Sequence, residues 1–324
     1  MYELELTRSL GRTGNSLLCI INAIYFAYYN KINKVKFHQL TWWTSKLLPG
    51  GQNELINSLE ISIDESDLVE ATFENTNDER KAIMKRRGSL IWNSEKSQFE
   101  SWFCGFYLPD LSFDKRIYVA QKYIRPILNF KEAILNENDL VIHVRSGDIM
   151  QKGHHCYTQP PLCFYEEIIN SKKWNNIYII TERTNNPCIS ILKNKYLNII
   201  TFNDENKERN GGNGFGFRHD LGYLVGAHNF VPSQSSLSPL VIQLSKTIKN
   251  VYIPSYMLVK NNSKHSVREH GIWWSNSFIN KKDDFKVNNI QFHVLDYDKY
   301  IDTPEPIYNY QEQKFRDYLI NYTN

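Results

Sequence analysis

Three short segments hold residues whose types and spacing suit binding of a phosphorylated ligand. The first is Val141-Ile142-His143-Val144-Arg145-Ser146-Gly147-Asp148. An apolar run, broken only by His143, ends in an arginine, and Gly147 lets the backbone turn directly after it. A planar guanidinium that stays protonated at any working pH suits a diphosphate. The competing reading is a local ion pair between Arg145 and Asp148 that closes the strand. The second segment is Val231-Pro232-Ser233-Gln234-Ser235-Ser236-Leu237-Ser238, a strand that runs through a hydroxyl-rich turn into a helix. Free N–H groups at a helix start, with serine hydroxyls beside them, make an anion cradle. Simple capping would need only one serine. The third is Gly11-Arg12-Thr13-Gly14-Asn15, whose spacing fits neither a dinucleotide fingerprint nor a Walker A loop. Taken alone it is a tight turn into the following helix, with Asn15 as its N-cap.

The elements around these segments are regular enough to place them. Tyr2–Leu6 is a short β run, residues 15–30 are helical by the spacing of Leu17, Leu18, Ile21, Ile24 and Tyr25, and Val35–Phe37 begins the next strand. Residues 45–115 carry no clear period. A helix is expected over Val119–Leu135, broken near Pro126, and the polar run Glu137-Asn138-Asp139 separates an N-terminal domain (1–137) from a C-terminal one (138–324). Beyond it, strands at Leu140–Val144, Ile177–Ile180, Leu197–Thr201, Asn229–Val231 and Val251–Ile253 alternate with helices at Pro161–Asn170, Ile189–Lys195, Asp220–Ala227 and Leu237–Thr247. Strands without polar alternation, interleaved with amphipathic helices, predict a parallel sheet covered on both faces. Ligands of such sheets bind at the carboxyl ends of the strands. From Ser255 the tail reads as irregular. It closes with a polar helix over Tyr308–Tyr322 that is expected to pack back on the first domain.

In chain order (Gly11–Asn15 before its helix, His143–Asp148, then Ser233–Ser238), the three segments resemble those of the GDP-fucose-dependent fucosyltransferases, particularly the α-1,2 group and the related α-1,6 and protein O-fucosyltransferases. The resemblance runs over roughly residues 6–254 and extends to Phe99–Phe103 (FESWF) and Lys122–Leu128 (KYIRPIL). The family usually has a second arginine where this chain has Ser146 and an aromatic residue where it has Ile149. The resemblance implies an α/β fold of the GT-B type, with two facing Rossmann-like domains built on parallel sheets. It implies an inverting, metal-independent transferase with no resident cofactor, whose partners are a nucleotide-sugar donor, GDP-fucose, and a glycan acceptor. In that scheme Arg145 takes the β-phosphate and steadies the leaving diphosphate. Ser235 and Ser236 contact the phosphates, and His143 lines the donor pocket. Asp220, at the head of its helix, contacts the base or ribose, while Arg12 and Asn15 reach across the cleft from the first domain. Glycosyl transfer also calls for a base to take the acceptor proton. No Asp or Glu stands between Asp148 and Glu166, so Asp148 ranks first and His154 second.

Other signals and the composition bound this reading. Asp296-Tyr297-Asp298 follows an apolar run and mimics a metal-binding D-x-D, but it lies after the α/β units. The adjacent His154, His155 and Cys156 read as a loop, Gly211–Gly216 as a flexible turn or lid, and Trp42-Trp43 and Trp273-Trp274 as core or sugar-stacking pairs. The chain has 324 residues, 41% hydrophobic and 23% charged, which excludes bulk disorder and suits about two domains of roughly 150 residues. A net charge of +3 is too small for the basic footprint of a nucleic-acid binder. The five cysteines are scattered and form no C-x-x-C pair, which predicts reduced thiols. The MYELEL opening lacks a basic leader, and the Leu17–Tyr29 run is too short to span a bilayer, which needs about 20 apolar residues. A cytoplasmic protein is expected, compatible with peripheral work at a membrane. Two alternatives stay open: a same-fold transferase using another nucleotide sugar, motivated by Ser146, and a non-catalytic glycan-binding protein on a degenerate scaffold, motivated by the missing carboxylate.

Overall fold

The computed structural model describes residues 3–6, 16–18, 20–21, 23–24, 27, 33–38, 40, 42–45, 47–51, 56, 58–64, 91–93, 98–100, 113–151, 158–202, 215–258, 281–303, 307 and 309–324. The chain falls into two compact units. One holds Met1–Leu111 and Lys115–Asn129, the other Ser112–Asp114 and Phe130–Asn324.

The first unit is built on a five-stranded mixed sheet of order β3-β2-β1-β5-β4. Its strands are β1 (Glu3–Leu6), β2 (Lys34–His38), β3 (Ser58–Ser62), β4 (Ile91–Asn93) and β5 (Gln98–Glu100). β1 is parallel to β2 and β5, whereas β3 and β4 run antiparallel at the two edges. The described residues between 16 and 27 are helical and buried, and Leu17, Ile21 and Ile24 repeat on one apolar stripe as their spacing requires. A helix does occur near Pro126, but over other bounds than expected. It runs Phe113–Val119, widens over Ala120–Ile124, tightens over Arg125–Ile127 and stops at extended Leu128. Pro126 has no N–H to return to the carbonyl of residue 122, which breaks the ladder at the point where the helix tightens.

The second unit carries a seven-stranded sheet of order β11-β12-β10-β9-β6-β7-β8. In chain order these are β6 (Leu140–His143), β7 (Ile177–Ile180), β8 (Ile199–Phe202), β9 (Asn229–Val231), β10 (Asn250–Pro254), β11 (Phe285–Val287) and β12 (Ile290–Leu295). Every pairing is parallel except β11 against β12. β6 and β9 are buried at every position, the mark of central strands covered on both faces. Helices Leu162–Ser171, Pro187–Lys195, Phe215–Val225 and Leu237–Leu244 connect the strands. The second half is thus an α/β domain with a mostly parallel sheet, as its pattern predicts.

Three details depart from the sequence expectations. The helix at Leu237 ends at Leu244, not Thr247, because Ser245 turns the chain: its hydroxyl donates to Val225 O and accepts from the Thr247 and Ile248 amides. The tail is not irregular, since β12 adds to the sheet beside β10. The closing helix, Gln313–Asn321, packs with Phe315 and Leu319 buried against helices Leu162–Ser171 and Pro187–Lys195, within the second unit. Among the described residues no helix is long and apolar enough to cross a membrane.

Candidate functional site

The order of the large sheet locates a crevice without reference to any ligand. From β6 the chain moves outward to β7 and β8, then returns to place β9 and β10 on the other side of β6. The connections leave β6 and β9 in opposite directions, so their carboxyl ends form the topological switch point where parallel α/β sheets bind ligands. Arg145 follows β6, and the Ser233–Ser236 turn follows β9.

At this point the two segments touch. Arg145 Nη1 donates to Ser235 Oγ at 3.3 Å, and Nη2 lies 3.7 Å from Asp148 Oδ1. The Arg145 side chain is 15% exposed and that of Asp148 41%, so the arginine sits in the crevice wall and the carboxylate at its rim. The anion-cradle and ion-pair readings of the sequence therefore concern one cluster of side chains.

The serines divide their labour. Ser235 Oγ accepts from the Leu237 amide and so caps the helix Leu237–Leu244. Ser238 Oγ donates to Ser233 O, and its oxygen receives the Ser233 amide. His143, buried at 8% exposure, turns Nδ1 toward Ser233 Oγ at 2.9 Å and Ser238 Oγ at 3.4 Å. Burial first, and then the neighbouring Arg145 charge, push its pKa down to about 3, so the imidazole is neutral. Ser236 occupies the N-cap position without making a side-chain cap bond. Three serines thus build the turn, and Ser236 remains at the helix start beside Arg145's partner.

Side chains from the end of β7 hold the Arg145 backbone residue by residue. Asn186 Nδ2 donates to Arg145 O, while its Oδ1 caps the Cys188 amide of the next helix. Ser146 Oγ meets Thr181 Oγ1 at 2.7 Å and accepts from the Arg183 amide. Asn185 Oδ1 accepts from Gly147 N at 2.9 Å, and its Nδ2 reaches Gly147 O at 3.4 Å. Gly147 has φ +69°, and a Cβ there would come within 2.8 Å of Glu182 Oε2. Glycine is favoured by its left-handed backbone, and any side chain there would also have to push aside the Glu182 carboxylate packed against it.

The expected site residues therefore fare differently. Arg145, Asp148 and Ser235 come together, with His143 and Ser236 in the same turn system. Asp220 does not head a helix: it lies inside Phe215–Val225, which packs on β6 and β7, with its Oδ1 3.8 Å from His219 Nδ1. Residues 211–214, Arg12, Asn15 and His154 lie outside the described residues. Glu182, Asn185 and Asn186 belong to no motif in the sequence, whereas Ser233 stands in the serine-rich segment without a role of its own. The one available signal was register: β6 and β7 pair His143 with Ile180, which sets residue 182 level with residue 145 two positions on. Asp296 and Asp298 are bound up with their own turn. Ser255 Oγ donates to Asp298 Oδ1 at 2.8 Å and accepts from the Tyr297 amide, and the Asp298 amide returns to Asp296 Oδ1.

What the second unit and its crevice define is a class: an α/β protein with Arg145 and a serine-rich turn at the switch point of a mostly parallel sheet. No family model and no curated protein matches the sequence. Among solved structures it is similar to the NodZ α-1,6-fucosyltransferase, from a crystal soaked with GDP-fucose. The identity is 10% and the TM-score 0.43, over 76% of this chain and 93% of that chain.

Proposed function

We propose that this chain is an inverting, metal-independent glycosyltransferase that takes a nucleoside-diphosphate sugar, GDP-fucose first among the candidates, and builds a surface glycan. The carrying observation is the meeting of Arg145 with the capped start of helix Leu237–Leu244 at the switch point of the sheet. Departure of the sugar leaves negative charge on the diphosphate. A fixed guanidinium and the positive end of a helix dipole answer that charge without a metal. Asp148, which balances Arg145 in the donor-free protein, gives up that role when phosphate arrives and becomes available to take the acceptor proton. Glu182, beside Gly147, is a second carboxylate within the same loop system and supports an enzyme over a pure binding protein. Arg12 and Asn15 remain candidates for contact with the donor sugar or the acceptor, Asp220 for the base or ribose, and His154 for the base catalyst.

One observation favours a second reading, a transferase of this fold with another nucleotide sugar. Ser146, where the resembled family has a second arginine, is fully buried between the ends of β6 and β7. The donor end would then rely on Arg145 alone. Thermal shift with GDP, UDP, CMP and dTDP separates the readings, because a ligand bound only by the native state raises Tm. The expected result is a shift with GDP that survives EDTA. A preference for UDP or CMP would replace the GDP-fucose assignment, and no shift with any of the four would overturn the transferase reading.

A further inference from the structure

The strapped loop around Arg145 has one more attachment, and it comes from far along the chain. Arg316, on the closing helix Gln313–Asn321, donates from Nε to Tyr310 O at 2.7 Å, from Nη1 to Asn185 O at 3.4 Å and from Nη2 to Met150 O at 3.2 Å. The three carbonyls belong to three separate turns, and all are backbone acceptors outside regular ladders. Such groups must be satisfied by a side chain or by water. Two of the three belong to the system that holds Arg145. Asn185 is the residue whose side chain grips both Gly147 N and Gly147 O. Met150 ends the short turn Gly147–Met150 that follows Arg145 directly. The helix carrying Arg316 is itself fixed by buried Phe315 and Leu319.

We infer that Arg316 is a positioning residue for the anion site: it ties the β6 and β7 end loops to the C-terminal helix and so sets where Arg145 points. This rests on the reading of Arg145 as the donor-phosphate group. A lysine could not do the same work, because its donors radiate from one nitrogen, whereas the guanidinium sends Nε, Nη1 and Nη2 to acceptors in different directions. The C-terminal helix thereby becomes part of the donor site although none of its side chains need touch the donor.

The test uses the full chain with Arg316→Met, which keeps an apolar stem, and Arg316→Lys, which keeps the charge. Amide hydrogen exchange needs no ligand. Both variants should exchange the Gly147 and Gln151 amides about tenfold faster while β6 and β9 stay protected. Unchanged exchange, or wild-type behaviour of Arg316→Lys, would overturn the inference. GDP titration supplies the second arm. Arg316→Met should weaken GDP about tenfold in the wild-type background and hardly at all in Arg145→Ala, since coupled residues are not additive. Additive losses would mark Arg316 as merely structural and refute the positioning role. Should the wild-type chain bind no nucleoside diphosphate, the proposed function falls, and the exchange arm still decides whether Arg316 clamps the loop.

Discussion

Two carboxyl ends of the same sheet gather polar side chains, and they use them in opposite ways. At the end of β12 the carboxylates of Asp296 and Asp298 are consumed locally. Ser255 Oγ donates to Asp298, the Asp298 amide folds back on Asp296, and Lys282 Nζ lies 3.4 Å from Asp298 Oδ2. The central Tyr297 is buried and donates its hydroxyl to Glu167. At the ends of β6 and β7, Asn185 and Asn186 spend their side chains on the Gly147 and Arg145 backbone instead, while Ser146 and Thr181 meet each other and also bond the Arg183 backbone. Arg145 is then presented from a fixed main chain toward a capped helix start. The D-x-D at the first end completes a turn, whereas at the second end the polar groups hold the main chain that carries Arg145. A charged motif alone does not tell these apart; where the neighbouring polar groups are spent does.

The strongest way to break this contrast is to remove the charge from each end in turn. Arg145→Ala should lower transfer at least about 100-fold, the scale of losing one fixed donor to a developing oxyanion. It should abolish the GDP-dependent rise in Tm without changing the ligand-free Tm by more than a few degrees. Asp298→Asn should leave transfer within about twofold and insensitive to EDTA. If instead Asp298→Asn abolished transfer and Mn²⁺ were required, the roles of the two ends would be exchanged.

A second comparison concerns the loop that carries Arg145. Gly147→Ala forces a side chain into φ +69° and against Glu182. The left-handed backbone alone costs about 1–2 kcal/mol, and the contact with Glu182 adds to it. Urea unfolding should show the loss, and the donor KM should rise with it. Glu182→Ala in the same chain should recover part of the stability but not the backbone term. A Gly147→Ala protein as stable as wild type would mean that the strap does not hold this turn.

Much of this was legible in the sequence because burial on both faces leaves a direct trace. β7 and β9 have the bounds their apolar runs predict, and Arg145 and Ser235 stand out as polar residues at strand ends. What was not legible depends on residues distant in the chain. Asn185 reaches Gly147 across 38 positions, and Arg316 reaches Met150 across 166. Neither belongs to a spacing motif, and an asparagine in a turn reads as a turn residue. β12 reads as an apolar run rather than a strand if only its parallel partner β10, some forty residues upstream, is considered, yet Asn288-Asn289 turns it back antiparallel on β11 with Asn288 at φ +52°, a hairpin signal that the sequence does carry. Asp220 was misplaced for a local reason. Its helix starts at Phe215, directly after a glycine-rich stretch that reads as loop.

The mildest effect at neutral pH is carried by Asp298 in stability and by His143 in acid. Losing one Ser255 hydrogen bond in Asp298→Ala should cost about 1 kcal/mol in urea unfolding, a figure that separates a turn-building carboxylate from an idle one. His143 is expected to act through pH. Its folded pKa lies near 3, below the ordinary histidine value of 6.5, so between these two values the unfolded chain binds the proton that the folded chain refuses. Stability then rises with pH across that window, by at most about 1.4 kcal/mol per unit, is complete above pH 6.5 and is lost as the pH falls toward 3. Replacement by a group that cannot titrate, His143→Gln, should lower stability at pH 7, where the Ser233 contact is disturbed, and flatten this part of the stability curve. The same variant should affect GDP binding only modestly, since the imidazole meets Ser233 and Ser238 rather than Ser235, the serine that meets the guanidinium. An equally steep pH slope in His143→Gln would assign the acid sensitivity to the carboxylates instead, and would remove His143 from the set of residues that hold the β9 turn against the end of β6.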